Sequence, residues 1–370
     1  MRCQMLEVDA EKFKNILKKA DKVCGTLEPS NRKVLFFVEE NEIYVMASDG
    51  CLTGFFELSP IYLPKPFPAF EAPLDVVKQF LSELYGKVIF SYQNGILSLK
   101  CQTEILQLKV GYVQPQNGEE LHLPKKEYEN GEDIVRISKK KFLAELDLVS
   151  GYLEEGNYID IFYSGNYFEL LSQHSGIVSY ARIKSNLTKE SDASFLSESI
   201  SIPFVSARHM IKTMEMEETE DLKILFQESE KGMHIIGESF YTIRGDTPSE
   251  SPERIRQLCA KASPDCRILT NQLQKVLRRA LLAGRFSDIE IYTRSDQIVV
   301  VSRYSSIAYK GTLEVECKND FSIKTKAYLL RSAINRLGSQ NLIISVVDKF
   351  VIIASPSLTR FLILGNKRVQ

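Results

Sequence analysis

Apolar positions along this chain follow two rhythms, and the switch from one to the other marks the elements. Leu273, Val276, Leu277, Ala280 and Leu281 sit at i, i+3, i+4, i+7 and i+8, the stripe of an amphipathic helix. Two alternating runs follow, SDIEIYTR and QIVVVSRYSS, with Ser295-Asp296 as the turn between them. A helix and then a hairpin is the expected unit over Leu269 to Ser306.

The same order recurs from the start of the chain. Val8 to Cys24 reads as a helix with Phe13, Ile16, Leu17 and Ala20 in stripe and Gly25 as its stop. VLFFVEENEIYVMASDG supplies two strands, and LTGFFEL a third. Pro60 to Pro73 is proline-rich and reads as an irregular loop. Leu74 to Tyr85 is a second helix, and VIFSYQNGILSLKC is a hairpin turning at Asn94-Gly95. ILQLKVGY adds a strand, and the polar stretch Gln114 to Asp133 reads as a linker. The pattern restarts with a helix over Ile137 to Leu153, the strands YIDIFYSGNYFELLSQHSG and IVSYARIK, and a helix over Phe204 to Met216. LKILFQESEKGMHIIGE and FYTIRG complete that copy, and Asp246 to Asp265 reads as a second linker with a short helical turn. The third copy continues past Ser306 with a helix from Lys326 to Leu337, the hairpin LIISVVDKFVIIAS and the strand TRFLILGNKRV.

The first-helix anchors Phe13, Phe142 and Leu273 recur at near-equal intervals, so three tandem units are expected, over residues 1–118, 119–250 and 251–370. The strands come as hairpins, which makes the class α+β, with two helices packed on a curved antiparallel sheet in each unit.

Composition narrows the setting. At 44% hydrophobic and 26% charged, the 370 residues suit a soluble globular chain. No apolar run approaches the about 20 residues that cross a bilayer, so no membrane association is expected. Met1-Arg2-Cys3-Gln4 leads straight into a polar helix pattern, so no signal peptide is expected and the setting is cytoplasmic. The seven cysteines form no C-x-x-C pair and read as reduced thiols.

No phosphate-binding loop, dinucleotide fingerprint, zinc-protease or nucleophile-elbow motif is present. The four histidines lie one to an element, and metal sites need converging ligands, so no metal or cofactor is expected. Asp49-Gly50 reads as a turn before it reads as a catalytic acid. A non-enzyme is expected; the alternative is an enzyme with its site in the Pro60 to Pro73 loop.

What remains is basic charge on helices. The net charge of -1 offers no bulk attraction to nucleic acid, so distribution decides. Lys12, Lys14, Lys18, Lys19 and Lys22 crowd the first helix, and Lys275, Arg278 and Arg279 stand off the stripe in a stretch from Thr270 to Ser287 without an acid. Lys78, Lys139, Lys140, Arg208, Lys212, Arg331 and Arg336 occupy the other helices. Charge on an amphipathic helix is ordinarily a solvated face. Six such helices lining one surface would form a stripe suited to phosphates. Asparagine and glutamine are scarce there, so base-edge readout is not indicated.

Three such units in order resemble the bacterial sliding clamp, the beta subunit of DNA polymerase III. KNILKKADKVCGT with FFVEENEIYVMASDGCLTGFFEL is similar to that family's opening helix and strand-turn-strand; RRALLAGRFSDIEIY, KAYLLRSAINRL and FLILGNKRV are similar to later family segments. The resemblance implies a head-to-tail homodimer forming a six-unit ring around duplex DNA, with a DNA polymerase and a clamp loader as partners. It places a partner-peptide pocket near Ile177, Val178, Pro248, Phe286, Tyr328, Ile352, Ile363 and Arg368. It places the dimer contact at Ile105, Leu106, Leu108 and Val110 against Leu281 and Leu282. Three features depart from the family, one being Asn366 before Lys367 and Arg368 where a proline two residues before the terminal arginine is frequent. His174-Ser175-Gly176-Ile177-Val178 stands where an Asp-Gly-His-Arg-Leu run is usual, and Tyr112-Val113-Gln114-Pro115 stands where an acidic signature is usual. A specialised clamp-fold paralogue is the alternative implied.

Overall fold

Six of the seven helices among the described residues start where a short strand stops. The computed structural model describes residues 4–39, 41–63, 68–110, 135–164, 167–187, 197–227 and 232–367. The helices are α1 (Ala10–Cys24), α2 (Leu74–Leu81), α3 (Lys139–Ser150), α4 (Phe204–Met214), α5 (Glu253–Ala260), α6 (Thr270–Ala280) and α7 (Ala327–Arg336). The strands Gln4–Asp9, Phe70–Pro73, Val135–Ser138, Ser197–Pro203, Cys266–Leu269 and Ser322–Lys326 run directly into all of them but α5. The periodic pattern alone folds these lead strands into helix starts or loops. The repeat is therefore strand, helix and three strands, six times over.

The chain divides into two compact units, Met1–Arg136 with Arg208–Arg244, and Ile137–Ala207 with Gly245–Gln370. In the first, lead strands are exchanged between neighbouring repeats. Gln4–Asp9 pairs antiparallel with Lys87–Gln93, and Phe70–Pro73 with Lys33–Glu39. Asp9 caps α1 by accepting from the Lys12 backbone N–H at 2.9 Å. Gly25 ends that helix with φ 51, a value that favours glycine, and any side chain there would run into the His209 ring. Phe13 on the α1 stripe meets Phe36 at 5.8 Å and Phe90 at 5.3 Å, and Phe36 stacks on Phe70 at 4.9 Å. The exchanged strands thus deliver their aromatics to one core, each buried ring contributing about 2–3 kcal/mol.

The second unit uses the same exchange. Ser197–Pro203 pairs with Tyr158–Ser164, Cys266–Leu269 with Asn341–Val347, and Ser322–Lys326 with Asp288–Arg294. The strand Ile177–Lys184 pairs with Arg360–Gly365, which makes one eight-stranded antiparallel sheet. Helices α3 and α7 pack together, as do α6 and α7.

The hairpin turns lie where the sequence puts them. Asn94 and Gly95 both have positive φ, as primed two-residue turns require, and Ser295 has φ 53. α5 is a real helix, longer than the single turn expected in that linker. Residues 111–134, which hold the other expected linker and Tyr112-Val113-Gln114-Pro115, lie outside the described residues, as do 64–67 of the proline-rich loop.

Candidate nucleic-acid interface

The stripe that buries Leu273, Val276, Leu277 and Ala280 of α6 turns Lys275, Arg278 and Arg279 outward, and all three are exposed. α6 contains no acidic residue, so the three cations and the solvent-facing side of the helix make an uninterrupted positive patch. On α1, Lys12, Lys18 and Lys22 are exposed in the same way. Lys140 of α3 and Lys212 of α4 are exposed as well, while Lys139, Arg208 and Arg331 are half-buried.

Four of the expected cations are committed elsewhere. Lys19 is only 8% exposed; its ammonium faces Glu238 at 3.1 Å and the buried Glu217 at 3.9 Å. Lys14 pairs with Glu11 one turn away at 2.8 Å. Lys78 bonds Asp21 at 2.9 Å, and Arg32 holds the same carboxylate together with Asp75 and the Gly25 carbonyl. Burial works against charge on Asp21, but the bonds and charges of Lys78 and Arg32 outweigh it and hold its carboxyl below the ordinary range. Arg336 bonds Asp147 of α3 at 3.0 Å and so ties α7 to α3. Its role is packing between helices. None of these acids is near its cation in sequence except Glu11, so sequence spacing could not show the pairings.

Among the described residues, two of the sheet edges belong to strands paired on one side only. Glu104–Lys109 is the last strand of one four-stranded sheet and Ile307–Glu314 the last of another. Leu106 and Leu108 oppose the buried Leu99 and Leu97, and Val110 is buried. Ile105 points the other way and is 58% exposed. Around the second edge, Leu282 is 71% exposed on the 3-10 turn after α6, and Leu281 beside it is half-buried. Gly311 lets α6 lie directly on this edge strand, since a side chain there would strike Val276 and Tyr309.

Seven of the eight residues of the expected partner pocket lie among the described residues. Val178, Ile363 and Ile352 lie side by side across three strands. They belong to a cluster that also holds Leu258 and Cys259 of α5, and Ile363 is only 2% exposed. Helix α5 of the same chain therefore packs against this row, with Val178 only partly buried. Arg256 of α5 fastens the helix there, with its Nε 2.9 Å from both oxygens of the buried Glu169. Tyr180 donates to the same carboxylate, and burial together with Glu169 pushes the tyrosine hydroxyl well above its ordinary range. Ile177 is buried too. Pro248 lines a cavity of about 310 Å³ with Phe162 of the same cluster, Glu250 and Arg256. Phe286, 64% exposed, stands edge-on to Tyr328 at 5.4 Å, and Tyr328 donates to Glu154. Arg368 lies outside the described residues. The α5 packing carried no sequence signal beyond Ile255, Leu258 and Cys259 at helical spacing in a polar stretch.

Among the described residues there is no cluster of side chains fit to hold a metal ion, and no helix is long and apolar enough to cross a membrane. No protein-family profile matches the chain. No curated protein sequence matches it either. Solved structures do. A DNA polymerase III beta subunit from Thermotoga maritima superposes with a TM-score of 0.76 at 11% identity, covering 99% of this chain and 100% of that one. A sliding clamp from Pseudomonas aeruginosa, solved with griselimycin bound, gives 0.79 at 11% identity with the same coverage. The chain has the α+β fold of the DNA polymerase III beta subunit over nearly its whole length.

Proposed function

We propose that the protein is a DNA sliding clamp, a processivity factor with no catalysis of its own. The observation that carries this reading is the likeness of fold along the whole chain to proteins described as sliding clamps and DNA polymerase III beta subunits. In this reading the six repeats pair into three units over 1–118, 119–250 and 251–370, and two chains close head to tail into a ring in the cytoplasm. The ring holds duplex DNA by topology, so its lining needs only weak, sequence-independent phosphate contacts. Lys275, Arg278, Arg279, Lys12, Lys18 and Lys22 suit that task, being exposed cations on two helices. A polymerase would be tethered by the ring, and a separate ATP-driven loader would open it.

The two sheet edges at Glu104–Lys109 and Ile307–Glu314 support ring closure. Each offers a strand edge with alternating side chains, which is what edge-to-edge pairing between chains uses. The apolar Ile105, Leu281 and Leu282 would lose their exposure in that contact. Replacing Leu281 and Leu282 with alanine is expected to move a folded protein from dimer to monomer in sedimentation. A folded double variant that still sediments wholly as the wild-type dimer would remove this interface. The packing of α5 against the row at Val178, Ile363 and Ile352 suits a specialised clamp, because that helix takes up apolar surface a partner peptide would otherwise use.

A further inference from the structure

Cys266 and Cys317 are far apart in the sequence, and the fold brings them together. The Lys318 backbone N–H donates to the Asp265 carbonyl at 3.2 Å. Cys266 follows Asp265 and Cys317 precedes Lys318, so this bond draws the two cysteines into one neighbourhood. The two thiols lie close enough that each perturbs the other's ionisation, and the Cys317 thiol also donates to the Val315 carbonyl at 3.9 Å.

The surroundings hold the pair in place and leave one member accessible. Asp265 accepts from the Val346 backbone N–H at 2.6 Å and from the Asn319 side chain at 2.6 Å, which fixes the loop carrying Cys317 against the strand carrying Cys266. Thr293 anchors the far end of that loop through Asp320 at 2.7 Å. Cys266 is buried, and Cys317 is half-buried. The neighbouring Cys317 thiol, and then burial, push the Cys266 thiol up. Cys266 in turn lowers Cys317, against the opposing effects of burial and the Asp265 and Asp320 charges. Cys317 is thus the sulfur of the pair that a small disulfide can reach, and the thiolate is the attacking species in disulfide exchange.

We propose that Cys266 and Cys317 form a reactive dithiol that closes to an intramolecular disulfide on meeting a low-molecular-weight disulfide. The Cys317 thiolate attacks one sulfur of that oxidant, forms a mixed disulfide and releases one small thiolate, which takes up a proton. Cys266 then loses its proton, attacks the Cys317 sulfur and releases the second small thiol. Two protein thiols are oxidised and one small disulfide is reduced to two thiols. The new bond joins the lead strand before α6 to the loop after Ile307–Glu314. It staples one whole repeat, including the edge strand, and so restrains that repeat in the unfolded chain.

The full chain, reduced and then exposed to glutathione disulfide at neutral pH, tests this by peptide mapping without reduction. The expected product is a Cys266–Cys317 cross-link with the loss of two hydrogen masses, formed ahead of modification at any other cysteine. Cys266→Ser should trap a glutathione adduct on Cys317, and Cys317→Ser should leave Cys266 unmodified. The oxidised wild type should melt higher than the reduced form by on the order of 5 °C or more. Two results on the wild type alone would overturn the proposal: both thiols still open to alkylation after oxidation, or a lasting glutathione adduct on Cys317 with no cross-link.

Discussion

On α6, Lys275, Arg278 and Arg279 are exposed and the helix holds no acid; on α1, five lysines share the helix with Glu11 and Asp21, and two of the five are tied up in ion pairs. By composition α1 is the more basic helix, yet its patch is the more interrupted. Lys19 is spent inside the first unit, on Glu217 and Glu238. α7 makes the same point in the second unit, where Arg336 ties that helix to Asp147. A count of cations on a helix therefore does not measure its fitness for phosphate. What measures it is how many of those cations lack a carboxylate across the packing interface.

The comparison can be sharpened first at α6. Reversing Arg278 and Arg279 to glutamate is expected to weaken DNA association on the order of a hundredfold at low salt. It should also flatten the salt dependence by roughly one unit of slope for each phosphate left without its cation. The same reversal at Lys18 and Lys22 should act in the same direction and less strongly, because nearby acids already dilute that patch. Filter binding across a salt series measures both, and equal effects from the two pairs would erase the distinction drawn between α1 and α6. At Lys19 the outcome should invert. Lys19→Ala removes the cation facing buried Glu217 and should cost about 1–3 kcal/mol in chemical denaturation, with the DNA salt slope unchanged.

The smallest effect belongs to the Asp21 network. Its carboxyl is held below the ordinary value of 3.8 by Lys78 and Arg32 against burial. A depressed acid contributes stability that is complete above its unfolded value and is lost as pH falls through the lower native value. Thermal melts between about pH 5 and pH 2 should show this loss in the wild type and a shallower slope in Asp21→Asn. Parallel slopes would mean that the network does not couple to folding.

The sequence reading succeeded where information is local. The stripe of α6, the Asn94-Gly95 turn and the Ser295 turn are legible because a helix face or a primed turn needs only neighbouring residues. It failed where a partner is remote. Gln4–Asp9 exists as a strand because Lys87–Gln93 pairs with it, and no alternation in six residues could reveal that. Cys266–Leu269 and Phe70–Pro73 were hidden for the same reason. At the site, the exposed cations of α6 were legible from the stripe alone. Neither the burial of Lys19 nor the α5 packing against Val178, Ile363 and Ile352 was, because Glu238, Glu169 and the sheet rows come together only in three dimensions.

The central claim is that the protein holds DNA by enclosing it. The most direct measurement loads the protein onto a nicked circular plasmid with a clamp loader, raises the salt enough to screen phosphate contacts, and follows retention by gel filtration before and after the plasmid is cut once. The account predicts that protein stays with the circle at high salt and is lost when the DNA is linearised, because it slides off the ends. Equal loss from circular and linear DNA at high salt, or equal retention on both, would contradict it.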